Sequence, residues 1–157
     1  MQLNFRFELV SLPVLSLPPI QPQLSKQEGG MYIYDFLRKK HLLLTPEEWV
    51  RQHWIHFLIA KGFPKGWFVL EKGMRYNGLQ KRTDLLIYDK EGKPYLLVEC
   101  KAPDIEIDQK VVSQAFVYNQ TLKCPYVTLS NGRKHVFFHR DILLGEYIQK
   151  DSLPEIP

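Results

Sequence analysis

The sequence predicts an α/β fold with a mixed central sheet flanked by helices and a β-rich N-terminal extension. Three observations carry this. Residues 45–61 hold a helix with clear start and stop signals. The runs LLI (85–87) and LLV (96–98) are apolar on both strand faces, as in strands covered from both sides. A second helical stripe at 108–122 is followed by two short strands. With 157 residues, 45% hydrophobic and 24% charged, the chain suits one domain with its own core. Its parts read as an extension packed on the core (1–44), the core (45–145) and a C-terminal tail (146–157).

The elements follow in order. Residues 2–17 alternate loosely and end at Pro18-Pro19. Leu24 and the YIYDF run from Tyr32 flank Glu28-Gly29-Gly30, a hairpin turn. RKKHLLL (38–44) is a basic knuckle leading into a short strand. Thr45-Pro46-Glu47-Glu48 starts a helix: Thr45 as N-cap, proline in the first turn, and Glu48 completing a capping box. Gly62 ends that helix and Pro64 follows. WFVLEKGM (67–74), RTDLLIYD (82–89) and PYLLVEC (94–100) are strands, the last two an antiparallel hairpin around DKEGK. Val111, Ala115, Tyr118 and Leu122 form the inward stripe of the second helix. PYVTLS (125–130) and KHVFFH (134–139) close the chain, joined by Asn131-Gly132 as a two-residue turn.

Composition narrows the function classes. The net charge of +4 permits a polyanionic partner without demanding one. Cys100 and Cys124 are too few for a disulfide framework and read as reduced and buried, in a cytoplasmic protein. Arg6, Glu8, Pro13, Pro18 and Pro19 break the early apolar stretches, so no signal peptide is expected. No window is long and apolar enough for a membrane span, and no membrane partner is expected. Asn119-Gln120-Thr121 matches a glycosylation acceptor only by accident in this setting.

The chemistry concentrates at LLVECKAP (96–103). Glu99 and Lys101 are two apart on a strand and share a face, whereas Cys100 faces the other way, into the core. If Tyr88 pairs with Tyr95, Asp84 falls directly opposite Glu99. Two carboxylates in a partly covered site repel unless a cation relieves them. Lys101 supplies part of that relief, and a hard divalent ion such as magnesium would supply more. A water on such an ion is activated, and an ammonium group beside it stabilises developing charge. The pattern therefore suits phosphodiester hydrolysis. An isolated E-x-K on a strand would be read instead as a structural ion pair.

Here the motif has company. Asp84, fourteen intervening residues and Glu99-Cys100-Lys101, on a hairpin between two helices, resemble the PD-(D/E)XK nuclease superfamily. TPEEWVRQHWIHFLI (45–59), KRTDLLIYDKEGKPYLLVECKAP (81–103) and SQAFVYNQTLKCPYVTLSNG (113–132) resemble the N-terminal nuclease domain of type I restriction enzyme R subunits and its small stand-alone bacterial relatives. The resemblance spans roughly residues 31–140. It implies a restriction-endonuclease-like fold and a magnesium-dependent endonuclease acting on DNA, with manganese able to substitute. Asp84 and Glu99 would be the metal carboxylates, with Cys100 offering at most its backbone carbonyl, and Lys101 the catalytic lysine. Gln114 and Tyr118 match a Q-x-x-x-Y motif that arranges the site or its substrate. Glu48, then Glu47, is the candidate acid from the first helix. Thr83 stands where the superfamily's name-giving proline would be, a position that concerns backbone shape. No helicase motor is present, so translocation is not implied.

Other residues carry simpler readings. A capping-box glutamate such as Glu48 needs no metal to explain it. His53 and His56, three apart on a helix, have a spacing that can bind zinc, whereas His135 and His139, four apart, stand far apart along a strand; with no C-x-x-C pair to complete a site, zinc is not expected. Basic clusters occur at 38–40, 72–82 and 133–134; of these Lys81 and Arg82, near the predicted site, are the candidate phosphate contacts. The expected partner is DNA, held through its backbone, with a homodimer or a helicase or specificity protein as further partners. Two alternatives stay open: a nuclease-like module that binds DNA or protein without cutting, and a nuclease acting on RNA.

Overall fold

The computed structural model describes residues 12–76 and 79–157, and over 71–76 and 79–84 it describes the backbone. Among the described residues nine strands and two α-helices run in the order β1 (Leu24–Gln27), β2 (Gly30–Asp35), β3 (Lys40–Leu43), α1 (Pro46–Lys61), β4 (Phe68–Tyr76), β5 (Leu79–Tyr88), β6 (Pro94–Cys100), α2 (Gln109–Leu122), β7 (Tyr126–Ser130), β8 (His135–Arg140) and β9 (Tyr147–Lys150), with one 3₁₀ turn at Lys65–Trp67. Strands β1–β3 form a small antiparallel sheet, and β4–β9 a six-stranded sheet in sequence order. Among the described strands only the β6–β7 pair is parallel, with α2 as its crossover. The mixed α/β architecture is thus the one expected. None of the described helices is long and apolar enough to cross a membrane.

Helix α1 begins where its caps dictate. Thr45 accepts the Glu48 N–H at 3.0 Å, a contact that contributes about 1 kcal/mol in comparable helices. Gly62 closes the helix at φ 112°, a left-handed conformation that a side chain would strain. The reciprocal half of the capping box does not form. Thr45 N–H donates to Leu43 O, and the Glu48 carboxylate is engaged by Arg38, Arg51 and Gln52.

The sheet is covered on both faces, which explains the continuous apolar runs. On one face Leu85, Ile87, Leu96, Val98 and Cys100 pack against Val50, Trp54, Ile55 and Leu58 of α1. On the other Leu86, Leu97, Val127 and Leu129 pack against Ala115 and Leu122 of α2. At about 25 cal/mol per Å² of apolar area, these two layers supply the main stabilisation of the fold.

Several expectations need correction. Residues 12–20 contain no strand; they lie along the core as irregular chain, with Leu15 buried, Ser16 N–H donating to Gly132 O at 2.7 Å, and Trp49 Nε1–H donating to Pro13 O at 2.9 Å. Residues 2–11 of that predicted alternation lie outside the described ones. The Asn131-Gly132 turn has four residues, 131–134, because Ser130 pairs with His135 and Asn131 Oδ1 accepts the N–H groups of Arg133 and Lys134. The C-terminal segment opens with β9, which pairs with β8 as an edge of the main sheet; beyond it Leu153 packs on the first core layer and Glu155 O accepts the Tyr95 hydroxyl at 2.6 Å. Asn119, outside the predicted inward stripe, is buried and bonded to Cys124 N, Cys124 O and the Tyr147 hydroxyl. That also buries the asparagine of the fortuitous glycosylation tripeptide.

Candidate functional site

The register of β5 against β6 positions the acids. Leu85 faces Val98, Leu86 faces Leu97 and Ile87 faces Leu96. Tyr88 pairs with Pro94, not Tyr95, across a register shift. The 89–93 turn explains the shift: Asp89 N–H donates to Lys93 O, and Asp89 Oδ1 accepts Glu91 N and Lys93 N, so the extra residue is absorbed before the inner pairs. Carried one step past Leu85 and Val98, the inner register sets position 84 opposite Glu99. The side chain of Asp84, like those of Lys81 and Arg82, lies outside the described residues.

Alternation along β6 assigns the faces. Val98 and Cys100 belong to the α1 layer and Leu97 to the α2 layer, so Glu99 is on the α2 side. Position 84 shares the row of Leu86, on that same side. Glu99 is buried, at 2% exposure, in the last turn of pleat before the strand ends. Lys101, half-buried, follows immediately. Cys100 is buried in the opposite layer, which leaves its sulfur remote from this face and only its backbone near it.

The loop that carries Lys101 is fastened to the neighbouring strand end. Lys101 N–H donates to Ser130 O at 2.8 Å, Ile105 N–H donates to Ala102 O at 3.0 Å, and Asn131 Nδ2–H donates to Ile105 O at 2.7 Å. Ser130 Oγ accepts the Gly132 N–H and bonds His135 Nδ1 at 2.7 Å, while His135 Nε2 meets Ser16 O at 3.0 Å. A carbonyl can only accept, so Nε2 carries the proton and Nδ1 accepts from Ser130. Asp108 then caps α2 by accepting Val111 N–H at 2.9 Å. In the sequence Ser130 and Asn131 look like ordinary turn residues; their burial beside Lys101 is the signal that marks them as supports.

The other predicted residues fall elsewhere. Gln114 and Tyr118 lie on α2, the helix over the Glu99 face; Gln114 is exposed, and Tyr118 is half-buried against the second core layer. Glu48 is on α1, whose core face packs on the opposite side of the sheet, and it is buried in a charged cluster. There Arg38 Nη2 donates to Glu48 Oε1 at 2.8 Å and to Asp35 Oδ2 at 2.7 Å, Arg51 donates to both Glu48 and Glu47, and Gln52 Nε2 bridges Asp35 and Glu48. Burial would raise the Asp35 pKa, but the Arg38 backbone and guanidinium and the Gln52 amide outweigh it and hold the carboxyl below its ordinary value. Glu48 is thus bonded to Arg38, Arg51 and Gln52.

The histidines are structural. His53 Nδ1–H donates to Trp49 O at 2.8 Å, His56 lies edge-on to Phe36, and His139 Nε2 meets Ser152 O. Burial lowers the pKa of both His53 and His56. Among the described residues, no three His, Cys, Asp or Glu side chains converge to hold a metal. The donors offered at the end of β6 are oxygens, the Glu99 carboxylate and the Cys100 carbonyl, and the register carries position 84, an aspartate, opposite Glu99. That chemistry fits a hard divalent cation and not zinc.

No curated protein matches this chain. A solved fragment described as an HsdR subunit of a type I restriction enzyme from Vibrio vulnificus superposes with a TM-score of 0.50 at 21% identity, over 71% of this chain and 24% of that one. The present chain therefore spans about a quarter of that neighbour, whose likeness bears out the α/β fold. Residues 46–157, from the first turn of α1 through β9 to the last residue, match the family described as the type I restriction enzyme R protein N terminus. The chain belongs to the family of type I restriction enzyme R protein N-terminal domains.

Proposed function

We propose that this restriction-type domain is a magnesium-dependent endonuclease that hydrolyses DNA phosphodiester bonds at the end of β6. The observation that supports the reading is the register: Leu85 opposite Val98 carries position 84 opposite Glu99, and Lys101 follows the end of β6. Asp84, Glu99 and the Cys100 carbonyl would hold the ion. When bound, the ion supplies an activated water and a counter-charge to the phosphate. Lys101 would orient the attacking water and stabilise charge on the phosphate oxygens, on a loop kept in place by Ser130 and Asn131. Gln114, exposed on the helix over this face, would meet the substrate rather than the metal, with Tyr118 as the packed base of the pair. Glu48 holds the start of α1 to β2 and would act on the site only through that frame.

As an R-subunit type domain, it would work beside a motor or specificity protein or as a homodimer, because one such site breaks one bond at a time. The test is cleavage of circular, linear and single-stranded DNA with magnesium or manganese, with a chelator control. Divalent-dependent cutting is expected. A protein that cuts nothing with any metal or partner would be a non-cleaving DNA-binding or partner-binding module.

A further inference from the structure

Strand β9 is the outer strand of the six-stranded sheet, and among the described residues no strand pairs with its far side. Which of its backbone groups face outward follows from the neighbouring strand. Arg140 N–H donates to Pro125 O, towards β7, and Asp141 N–H donates to Glu146 O, towards β9. Arg140 pairs with Tyr147, and Phe138 with Gln149. Direction alternates along an antiparallel ladder. Glu146, Ile148 and Lys150 therefore turn their N–H and C=O groups to β8, and Tyr147 and Gln149 turn theirs outward.

The side chains alternate in the same rhythm. Glu146, Ile148 and Lys150 stand in one row of the edge, all exposed, with Ile148 at 38%. The turn before them exposes Ile142 and Leu143 at 97% and 95%, and these two line one groove with Ile148 and Lys150. An open ladder beside an exposed apolar patch is a template for another strand.

We infer that the occupant is a second copy of this chain, joined β9 to β9 in antiparallel sense about a two-fold axis at Ile148. Outward-facing residues must pair with outward-facing residues, which allows a register that sets Tyr147 against the second copy's Gln149 and Gln149 against its Tyr147. Each such pair exchanges two hydrogen bonds, so the junction holds four. The same register brings Ile148 against itself at the closely spaced position between them, and Glu146 opposite Lys150 in both directions. The neighbouring allowed registers would set Ile148 against Lys150 or against Glu146 and break both ion pairs. A strand of another protein has no reason to match this order of acid, isoleucine and base; the chain's own edge matches it by symmetry, as an isologous interface requires. The inference is independent of the cleavage reading, and its test uses neither DNA nor metal.

The measurement is sedimentation velocity of the full chain at low salt, from micromolar to millimolar protein. The samples are the parent, Glu146→Lys, Lys150→Glu and an equimolar mixture of those two variants. The parent should shift from monomer to dimer as concentration rises. Each single variant meets like charges twice across the two-fold axis and should dimerise about tenfold more weakly. In the mixture each variant supplies the charge that the other lacks, so dimer should return to the parent's level. Glu91→Lys and Lys90→Glu, the same reversals in the exposed 89–93 turn, should keep the parent's equilibrium, and all variants should melt with the parent. Single variants that dimerise like the parent, or a mixture no better than its components, would overturn the β9 junction. A parent that stays monomeric throughout would overturn it too and leave the edge to a strand of a different protein.

Discussion

Leu85 on β5 stands directly opposite Val98 on β6, both with no exposed surface, at the last described pair before the two acids. A slip of one residue would move Asp84 to the other face, so the buried pairs Leu85–Val98, Leu86–Leu97 and Ile87–Leu96 lock the register of the site. The double variant Asp84→Ala, Glu99→Ala should therefore lose manganese binding by calorimetry while the sheet still folds. Parent-like manganese affinity in that variant would end the metal assignment.

Lys101→Ala should separate chemistry from binding. Its backbone N–H bond to Ser130 O survives the substitution, and its side chain contributes to neither core layer. DNA affinity should change less than twofold, and cleavage should fall by a factor on the order of a hundred, as when a transition-state partner is removed. Equal loss in affinity and in rate, read by anisotropy and single-turnover cleavage, would make Lys101 a phosphate anchor.

Much of this arrangement is legible in the sequence because short-range chemistry specifies it. Thr45, Pro46 and Gly62 bound α1 by local capping, and period-two alternation with buried pairs at 85–87 and 96–98 places Glu99 on the α2 face, just before β6 ends. What escapes a sequence reading depends on partners distant along the chain. Glu48 is drawn from its capping role by Arg38, ten residues away, across the junction of β3 and α1. Strand β9 exists because β8 offers an edge, and its own sequence, YIQK, announces little. Asn131 reads as a turn former, yet it also ties the turn to the Lys101 loop through Ile105 O.

Arg38 should prove a principal anchor of the small sheet. Its side chain, 13% exposed, bonds Asp35 and Glu48, whose side chains are 1% and 6% exposed. Arg38→Ala would leave two buried carboxylates short of a counter-ion, and breaking such pairs costs about 3–5 kcal/mol. Denaturant unfolding should show a loss of about 3 kcal/mol, with manganese affinity retained in the folded fraction because Glu48 lies on the α1 side. If metal binding fell in step with an Arg38→Ala variant that remained fully folded, Glu48 would have to be counted with the site.

Acid should unfold the domain in two stages. Burial holds His53 below its ordinary value of 6.5, a charge on His56 adds to this, and the Trp49 carbonyl partly opposes it. His56 is lowered by its own burial, with Asp35 opposing. The unfolded chain therefore takes up these protons first. Stability is full above about pH 6.5 and declines as pH falls from there towards the lower folded-state values. Asp35 is held below 3.8, so its contribution persists through that range and is lost only as pH falls below about 4. Melting temperatures from pH 8 to 3 should show a first decline starting near 6.5 and a second at the carboxylate. His53→Gln with His56→Gln should remove the first and keep the second. A double variant that still lost stability between pH 7 and 5 would place the titrating groups outside α1.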